Sequence, residues 1–248
     1  MAGHSKWSNI KHKKGKADAA RGKVFTKIGR EIAMAVREGG SDPEHNSRLR
    51  DVIAKARANN MPNDNIERSI KRASGELGNV TYEEIVYEGY APGGIAVILE
   101  VVTDNRNRTA SDVRHIFDKN GGSLGQTGSV GYLFNYQGTI LIENSDEIDE
   151  DELMMNALQA GAEDVQISDE GYEIITAAND FSAVREALEK DNYKFASAER
   201  GYVAQMLNDV TDPETVEKIN KMLDMLDDND DVVAVYHNAN LPDEEDGE

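Results

Sequence analysis

Net charge reverses along this chain at about residue 75, and hydrophobic periodicity changes with it, so any fold must accommodate two chemically opposite parts. Residues 1–75 carry 17 Lys and Arg against eight Asp and Glu, whereas the remainder of the 248 residues carries 10 against 39. The overall charge of −20 conceals this. Within the basic part the density peaks over Lys6-Trp7-Ser8-Asn9-Ile10-Lys11-His12-Lys13-Lys14-Gly15-Lys16, where cations surround the only Trp of the chain and no acid precedes Asp18. A polyanion is the natural partner of such a segment.

Nucleic-acid affinity comes largely from displacing counterions along the phosphate backbone, which needs several Lys or Arg presented close together. An aromatic side chain among them adds a flat surface on which an unpaired base can stack. The candidate nucleic-acid-binding residues are therefore Lys6, Trp7, Lys11, His12, Lys13, Lys14, Lys16, Arg21 and Lys23, the cations as phosphate contacts and Trp7 and His12 as stacking or hydrogen-bonding groups. A solvated basic tail with no specific partner is the plain alternative. Continuation of the basic bias into helical sequence favours the interface.

Composition removes several other classes. A length of 248 residues with 39% hydrophobic content allows more than one domain, each with a modest core. The absence of Cys rules out a disulfide framework and a thiolate metal site, and fits a reducing compartment. The run Ile95-Ala96-Val97-Ile98-Leu99 is interrupted by Glu100 and is far too short to span a bilayer. No apolar stretch follows the charged N-terminus, as a secretory signal requires, and its Lys, His and Gly content does not resemble a transit peptide. A cytoplasmic protein is expected.

The periodicity over residues 24–74 predicts three helices. Phe25, Ile28, Ile32, Ala35 and Val36 share one face, with Gly39-Gly40 as the stop. A second helix is expected to start at Asp42-Pro43 and to bury Leu49, Val52, Ile53 and Ala56; a third, seeded around Pro62-Asn63, turns Ile66 and Ile70 inward. Lys27, Arg30, Arg37, Arg48, Arg50, Lys55 and Arg57 are expected on the outward faces, where they could extend the basic surface, although for any single one of them an ordinary solvated face is the preferred reading. After Gly75 and Gly78 the chain reads as strands Tyr82–Tyr90 and Ile95–Thr103 around an Ala91-Pro92-Gly93-Gly94 turn, followed by a helix capped by Thr109 that buries Val113, Ile116 and Phe117. Strands are expected at Tyr132–Tyr136 and Thr139–Glu143. From Thr139 the order β, α, β, β, α, β, ending near Gly201–Leu207, suggests a split βαβ, ferredoxin-like module. The helix Pro213–Leu226 and strand Val232–His237 have no place in that module and are assigned back to the earlier strands.

The expected class is α+β. A basic arm and three-helix domain (1–78) precedes an α/β domain (79–136 with 208–240), into which a ferredoxin-like α/β domain (137–207) is inserted, and an acidic tail (241–248) closes the chain. That tail is expected to be solvated, with folding back onto the basic part as a phosphate mimic the alternative.

Most catalytic motifs fail on spacing. Gly121-Gly122-Ser123-Leu124-Gly125-Gln126-Thr127-Gly128 fits neither dinucleotide-binding nor P-loop spacing and reads as a connection between helix and strand. The five His residues form no metal-ligand pattern, and the acidic run from Glu143 to Glu152 lacks calcium-loop spacing; it reads as a helix start with Asp149 as cap. No cofactor, small-molecule substrate or catalytic residue is expected. One cluster keeps two readings. Thr103-Asp104-Asn105-Arg106-Asn107-Arg108-Thr109, followed by Arg114, concentrates positive charge at a strand-to-helix junction; Arg106, Arg108 and Arg114 serve either as a second phosphate contact or as partners of neighbouring carboxylates.

The opening Met1-Ala2-Gly3-His4-Ser5-Lys6-Trp7, the continuation Ile10-Lys11-His12-Lys13-Lys14, Tyr87-Glu88-Gly89-Tyr90-Ala91-Pro92-Gly93-Gly94, the Thr103–Thr109 cluster and Val235-Tyr236-His237-Asn238 together resemble the signatures of the YebC/PmpR family over essentially the whole chain. The resemblance implies a helical N-terminal domain followed by two α/β domains. It also implies a non-enzymatic regulator of gene expression: members are described as probable transcriptional regulators that bind DNA, mitochondrial relatives as translational activators for a cytochrome oxidase subunit, and bacterial members as acting at ribosomes stalled on proline runs. The partner implied is DNA or ribosomal RNA. The acidic domains tilt the balance slightly to RNA, since their field repels a long duplex while a basic arm can enter an RNA crevice.

Overall fold

The computed structural model describes Trp7, residues 21–76 and residues 81–242. It is an α+β protein whose described residues divide into two compact units, one containing residues 135–203 together with Trp7, the other containing residues 21–76, 81–134 and 204–242.

In the larger unit, α1 (Arg21–Gly39), α2 (Ser47–Ala58) and α3 (Asn63–Ala73) form the helical layer. Ile28, Ile32, Ala35, Leu49, Val52, Ile53, Ala56 and Ile66 make one core, as the periodicity requires, and each Ile, Leu or Val among them contributes roughly 1.5–3 kcal/mol. The start of α2 differs from expectation. Asp42 and Pro43 begin only a single 3-10 turn, Pro43–His45, and the cap of α2 is the buried Asn46. Its Oδ1 accepts from Leu49 N at 3.0 Å, while its Nδ2 donates to Ala35 O and Gly40 O at 2.7 and 2.8 Å. One side chain thus caps α2 and the end of α1 together, which Asp42, lacking an N–H, does not do.

Next, β1 (Glu83–Ala91) and β2 (Ile95–Thr103) form an antiparallel hairpin closed by the pair Ala91 and Ile95. α4 (Arg106–Lys119) follows, then β3 (Ser123–Leu124), which pairs with β1. The fourth strand of this sheet, β9 (Val232–His237), arrives after the inserted module and runs antiparallel to β2, giving the order β3-β1-β2-β9. On one face Ile95, Val97, Leu99 and Val101 meet Val113, Ile116 and Phe117 of α4 and Ile219, Met222 and Leu226 of α7 (Pro213–Asp227). A short parallel pair, β8 (Asn208–Asp209) with β10 (Ala239–Asn240), completes the unit.

The smaller unit has ferredoxin-like order. β4 (Phe134–Glu143), α5 (Glu150–Ala160), β5 (Asp164–Ser168), β6 (Gly171–Ala177), α6 (Phe181–Lys190) and β7 (Ser197–Ala204) give a sheet ordered β5-β6-β4-β7. Ile140, Ile142, Tyr172 and Ile174 face Leu153, Ala157, Phe181, Val184 and Leu188. The two strands expected on either side of Gln137-Gly138 are one continuous β4, and the final strand lies earlier than Gly201–Leu207. Gly138 is not a break: a Cβ there would lie 2.6 Å from the Phe181 ring, so glycine is what lets the ring lie on the strand.

Candidate nucleic-acid interface

Of the nine candidate residues in the basic segment, Lys6, Lys11, His12, Lys13, Lys14 and Lys16 lie outside the described residues. Trp7 is packed rather than displayed, at 4% exposure. Arg21 is exposed at the start of α1. Lys23, in the first turn of α1, donates to Asp228 at 2.7 Å, and this bond raises its pKa.

The helical cations expected to face outward are largely consumed. Lys27 is buried and donates to the Asp227 carbonyl at 2.6 Å and to the Asp227 carboxylate at 2.9 Å. Arg30 donates to Val102 O at 2.7 Å and pairs with Asp231. Arg37 reaches Tyr82 O, Arg48 bridges Glu38 and Glu84 at 2.6 and 2.8 Å, Arg50 donates to Pro43 O, and Lys55 pairs with Glu31 at 2.8 Å. This pairing has a physical cause. The acidic end of α7 and the loop to Asp231 place carboxylates at a helix C-terminus, where the helix dipole disfavours them, and Lys23, Lys27 and Arg30 compensate. What remains is narrower than the sequence suggests. Arg57 at the end of α2 and Arg68, Lys71 and Arg72 on α3, away from Ile66, are exposed, and no ion pair to a described residue engages their side chains.

The Thr103–Thr109 cluster resolves into a structural joint plus two exposed cations. The cap of α4 is Asn105, accepting from Arg108 N at 3.1 Å, not Thr109. Thr109 is buried because its Oγ1 donates to Asp231 Oδ2 at 2.5 Å and lies 2.8 Å from Thr103 Oγ1. Arg108 also reaches Asp231, at 2.8 Å, and Asp104, at 2.9 Å. Burial would raise the Asp231 carboxyl, but the bonds from Thr109, Arg108 and Arg30 outweigh it and hold it at about 2. Arg108 is thus committed to carboxylates, while Arg106 and Arg114 remain exposed on α4, both near enough to oppose the rise that burial imposes on the Tyr87 phenol. The adjoining cleft, about 400 Å³, is lined by Arg30, Arg108, Asn229 and the carboxylates of residues 104, 112, 228, 230 and 231, an excess of negative charge that repels phosphate.

The glycine-rich connection carries a feature that motif spacing misses. Backbone N–H groups of Gly128, Val130 and Gly131 donate to the buried Glu88 carboxylate at 2.7, 2.8 and 2.7 Å. Burial alone would raise the Glu88 pKa; the three donors reverse this and lower it. The loop is an anion nest, filled by the protein's own anion. The period-2 pattern does not signal it either, because Glu88 lies on the face of β1 opposite Ile85, Tyr87 and Ala91, which pack on the core. Among the described residues no group of three or more His, Asp or Glu side chains is arranged to hold a metal ion, and no helix is long and apolar enough to cross a membrane.

Comparison with known proteins is consistent along the chain. A family profile described as "TACO1/YebC protein N-terminal domain" matches residues 5–76, and one described as "TACO1/YebC second and third domain" matches residues 82–239. A probable transcriptional regulatory protein of Acetivibrio thermocellus is 62% identical over 238 residues, covering 96% of this chain and 98% of that protein. Another of that description, from Clostridium novyi, is 59% identical over 247 residues, covering 100% of both. The crystal structure of a conserved hypothetical protein from Aquifex aeolicus superposes with a TM-score of 0.82 at 45% identity, covering 94% of this chain and 96% of that one.

Proposed function

The chain belongs to the TACO1/YebC family, and from that premise we propose that it is a non-enzymatic regulator of gene expression that works by binding nucleic acid. The observation that carries the proposal is the sorting of cations. Lys23, Lys27, Arg30, Arg48 and Lys55 of the helical layer are paired with acids, yet Arg57, Arg68, Lys71 and Arg72 stay exposed with no ion pair to a described residue, and the densest basic run of the chain, Lys6 to Lys16, precedes them in sequence. Exposed, unpaired cations are the ones that release counterions from a phosphate backbone. DNA is the target that the relatives' naming as probable transcriptional regulators supports.

A second reading, ribosomal RNA with regulation of translation, is favoured by one observation. The 39 acidic residues beyond residue 75 include the carboxylates around the cleft at Asp231, and a field of that sign opposes a long duplex more than a local RNA contact. Crosslinking in cells followed by sequencing of the attached nucleic acid separates the two. Promoter DNA supports the first reading and ribosomal RNA the second, and an absence of attached nucleic acid under conditions that capture a known binder refutes both.

A further inference from the structure

We propose that the basic arm around Trp7 docks on an acidic face of the inserted module, and that nucleic acid competes with this face for the arm. Only the identity of the competitor rests on the function proposed above; the docking rests on Trp7 and the residues beside it.

Trp7 belongs to the same compact unit as residues 135–203 and is 4% exposed. Its Cζ2 would lie 2.9 Å from a Cβ at position 171, so the indole occupies the space that Gly171 leaves empty. Glycine is required there twice over. The backbone has φ of 148°, and a side chain would also meet Ile142 O. The seat for the ring is thus written into the start of β6.

Carboxylates rim that seat. Glu143 faces Gly171 across the β4–β6 ladder, Glu170 precedes it, and Glu173 follows two residues along β6. All three make interactions and are not free. Glu173 is 3% exposed, with Leu141 and Thr139 buried at alternating positions of β4. Their neighbours Ile140, Ile142, Tyr172 and Ile174 turn to the opposite side, where α5 and α6 pack. The module therefore buries a Trp and a Glu on the side its own helices do not cover. The segment that carries Trp7 offers Lys6, Lys11, His12, Lys13, Lys14 and Lys16 within eleven residues, so charge and anchor identify the same occupant. Phosphates compete for the same cations, and withdrawal of the arm frees the indole for base stacking.

The test uses the full chain and its single Trp as reporter. Acrylamide quenching of Trp7 and binding of a single-stranded oligouridine are compared for wild type and E143Q/E170Q/E173Q. The variant should quench more strongly and bind about three- to tenfold tighter at moderate salt, the size expected for losing two or three competing ion pairs. Oligouridine should also change the wild-type Trp7 emission. Equal quenching in the two proteins overturns the docking; stronger quenching with unchanged affinity overturns the competition. Should the triple variant fail to fold by circular dichroism, E143Q/E170Q, which leaves the buried Glu173 in place, is read against the same criteria. If neither protein binds oligouridine or duplex DNA, the nucleic-acid function and the competition fall together, while quenching still decides the docking.

Discussion

Replacing Asp231 by Asn removes the charge at which the helical layer and the first sheet are joined. Four side chains from three elements converge on this carboxylate: Arg30 of α1, Thr103 at the end of β2, and Arg108 and Thr109 in the first turn of α4. Its side chain is 5% exposed, against 14% for Arg30 and 45% for Arg108. A carboxyl displaced from 3.8 to about 2 corresponds to about 2.4 kcal/mol at full value, and screening where Arg108 meets solvent reduces this to about 1–2 kcal/mol. Leaving Arg30 without its buried partner adds to that, so D231N is expected to lose about 2–4 kcal/mol at pH 7. The measurement is urea denaturation of both proteins from pH 7 to pH 2.5. Because the folded pKa is depressed, the ionic stabilisation is complete above the unfolded value near 4 and disappears as pH falls towards 2, so the difference between the proteins should shrink in that window. Arg30→Met should cost more than Arg108→Met, following their burial. A loss below about 1 kcal/mol, or a difference that does not shrink in acid, would refute the assignment of Asp231 as an ionised joint.

Glu100 gives the opposite pH signature: burial pushes its carboxyl to about 7 although the Tyr236 hydroxyl donates to it at 3.0 Å, so stability is full below about 4.5 and lost as pH rises to 7. E100Q should therefore gain up to about 3 kcal/mol on wild type at pH 8 compared with pH 4, read by urea denaturation, and an equal difference at both pH values would count against it. R68E/K71E/R72E should keep its fold and lower the slope of log affinity against log salt by about 2–3, closer to 2 on single strands and nearer 3 on duplex DNA; an unchanged slope removes α3 from the interface. K11E/K13E/K14E should weaken nucleic-acid binding at least about tenfold at moderate salt, and unchanged binding in a gel-shift assay removes the arm.

The fold was legible wherever local chemistry decides it. β2 and β9 announce themselves as apolar runs, α6 begins and ends where its periodicity does, and the return of β9 to β2 follows from its having no place in the ferredoxin-like order. Errors arose where two residues of equal local merit competed and a distant partner chose between them. Thr109 and Asn105 are both good caps; Asp231, 122 residues away from Thr109, claims the hydroxyl and leaves the cap to Asn105. Asp42 and Asn46 are likewise both good caps, and only Asn46 has an amide to give the end of α1. Gln137-Gly138 falls between two expected strands that are in fact one, because Phe181 packs where a side chain at Gly138 would lie.

The candidate interface was less legible for a related reason: a sequence displays charges without their partners. Seventeen cations in the first 75 residues suggest a broad basic surface, yet Lys23, Lys27, Arg30, Arg48 and Lys55 are engaged by acids within the larger unit. Such pairs hold counter-charges already, so a phosphate gains little by displacing them, and the acids so used no longer repel it at full strength. The acidic majority of the chain therefore does two things at once. It fixes the helical layer in place through buried or half-buried pairs such as Lys27 with Asp227 and Arg30 with Asp231, and it filters the basic surface down to the few cations whose positions no carboxylate reaches. On the described surface those include the cations of α3 and the end of α2 and Arg106 and Arg114 on α4, with Lys119, Lys190, Lys194 and Lys221 more scattered along the sequence. A charge count overstates the interface; the partner of each charge defines it.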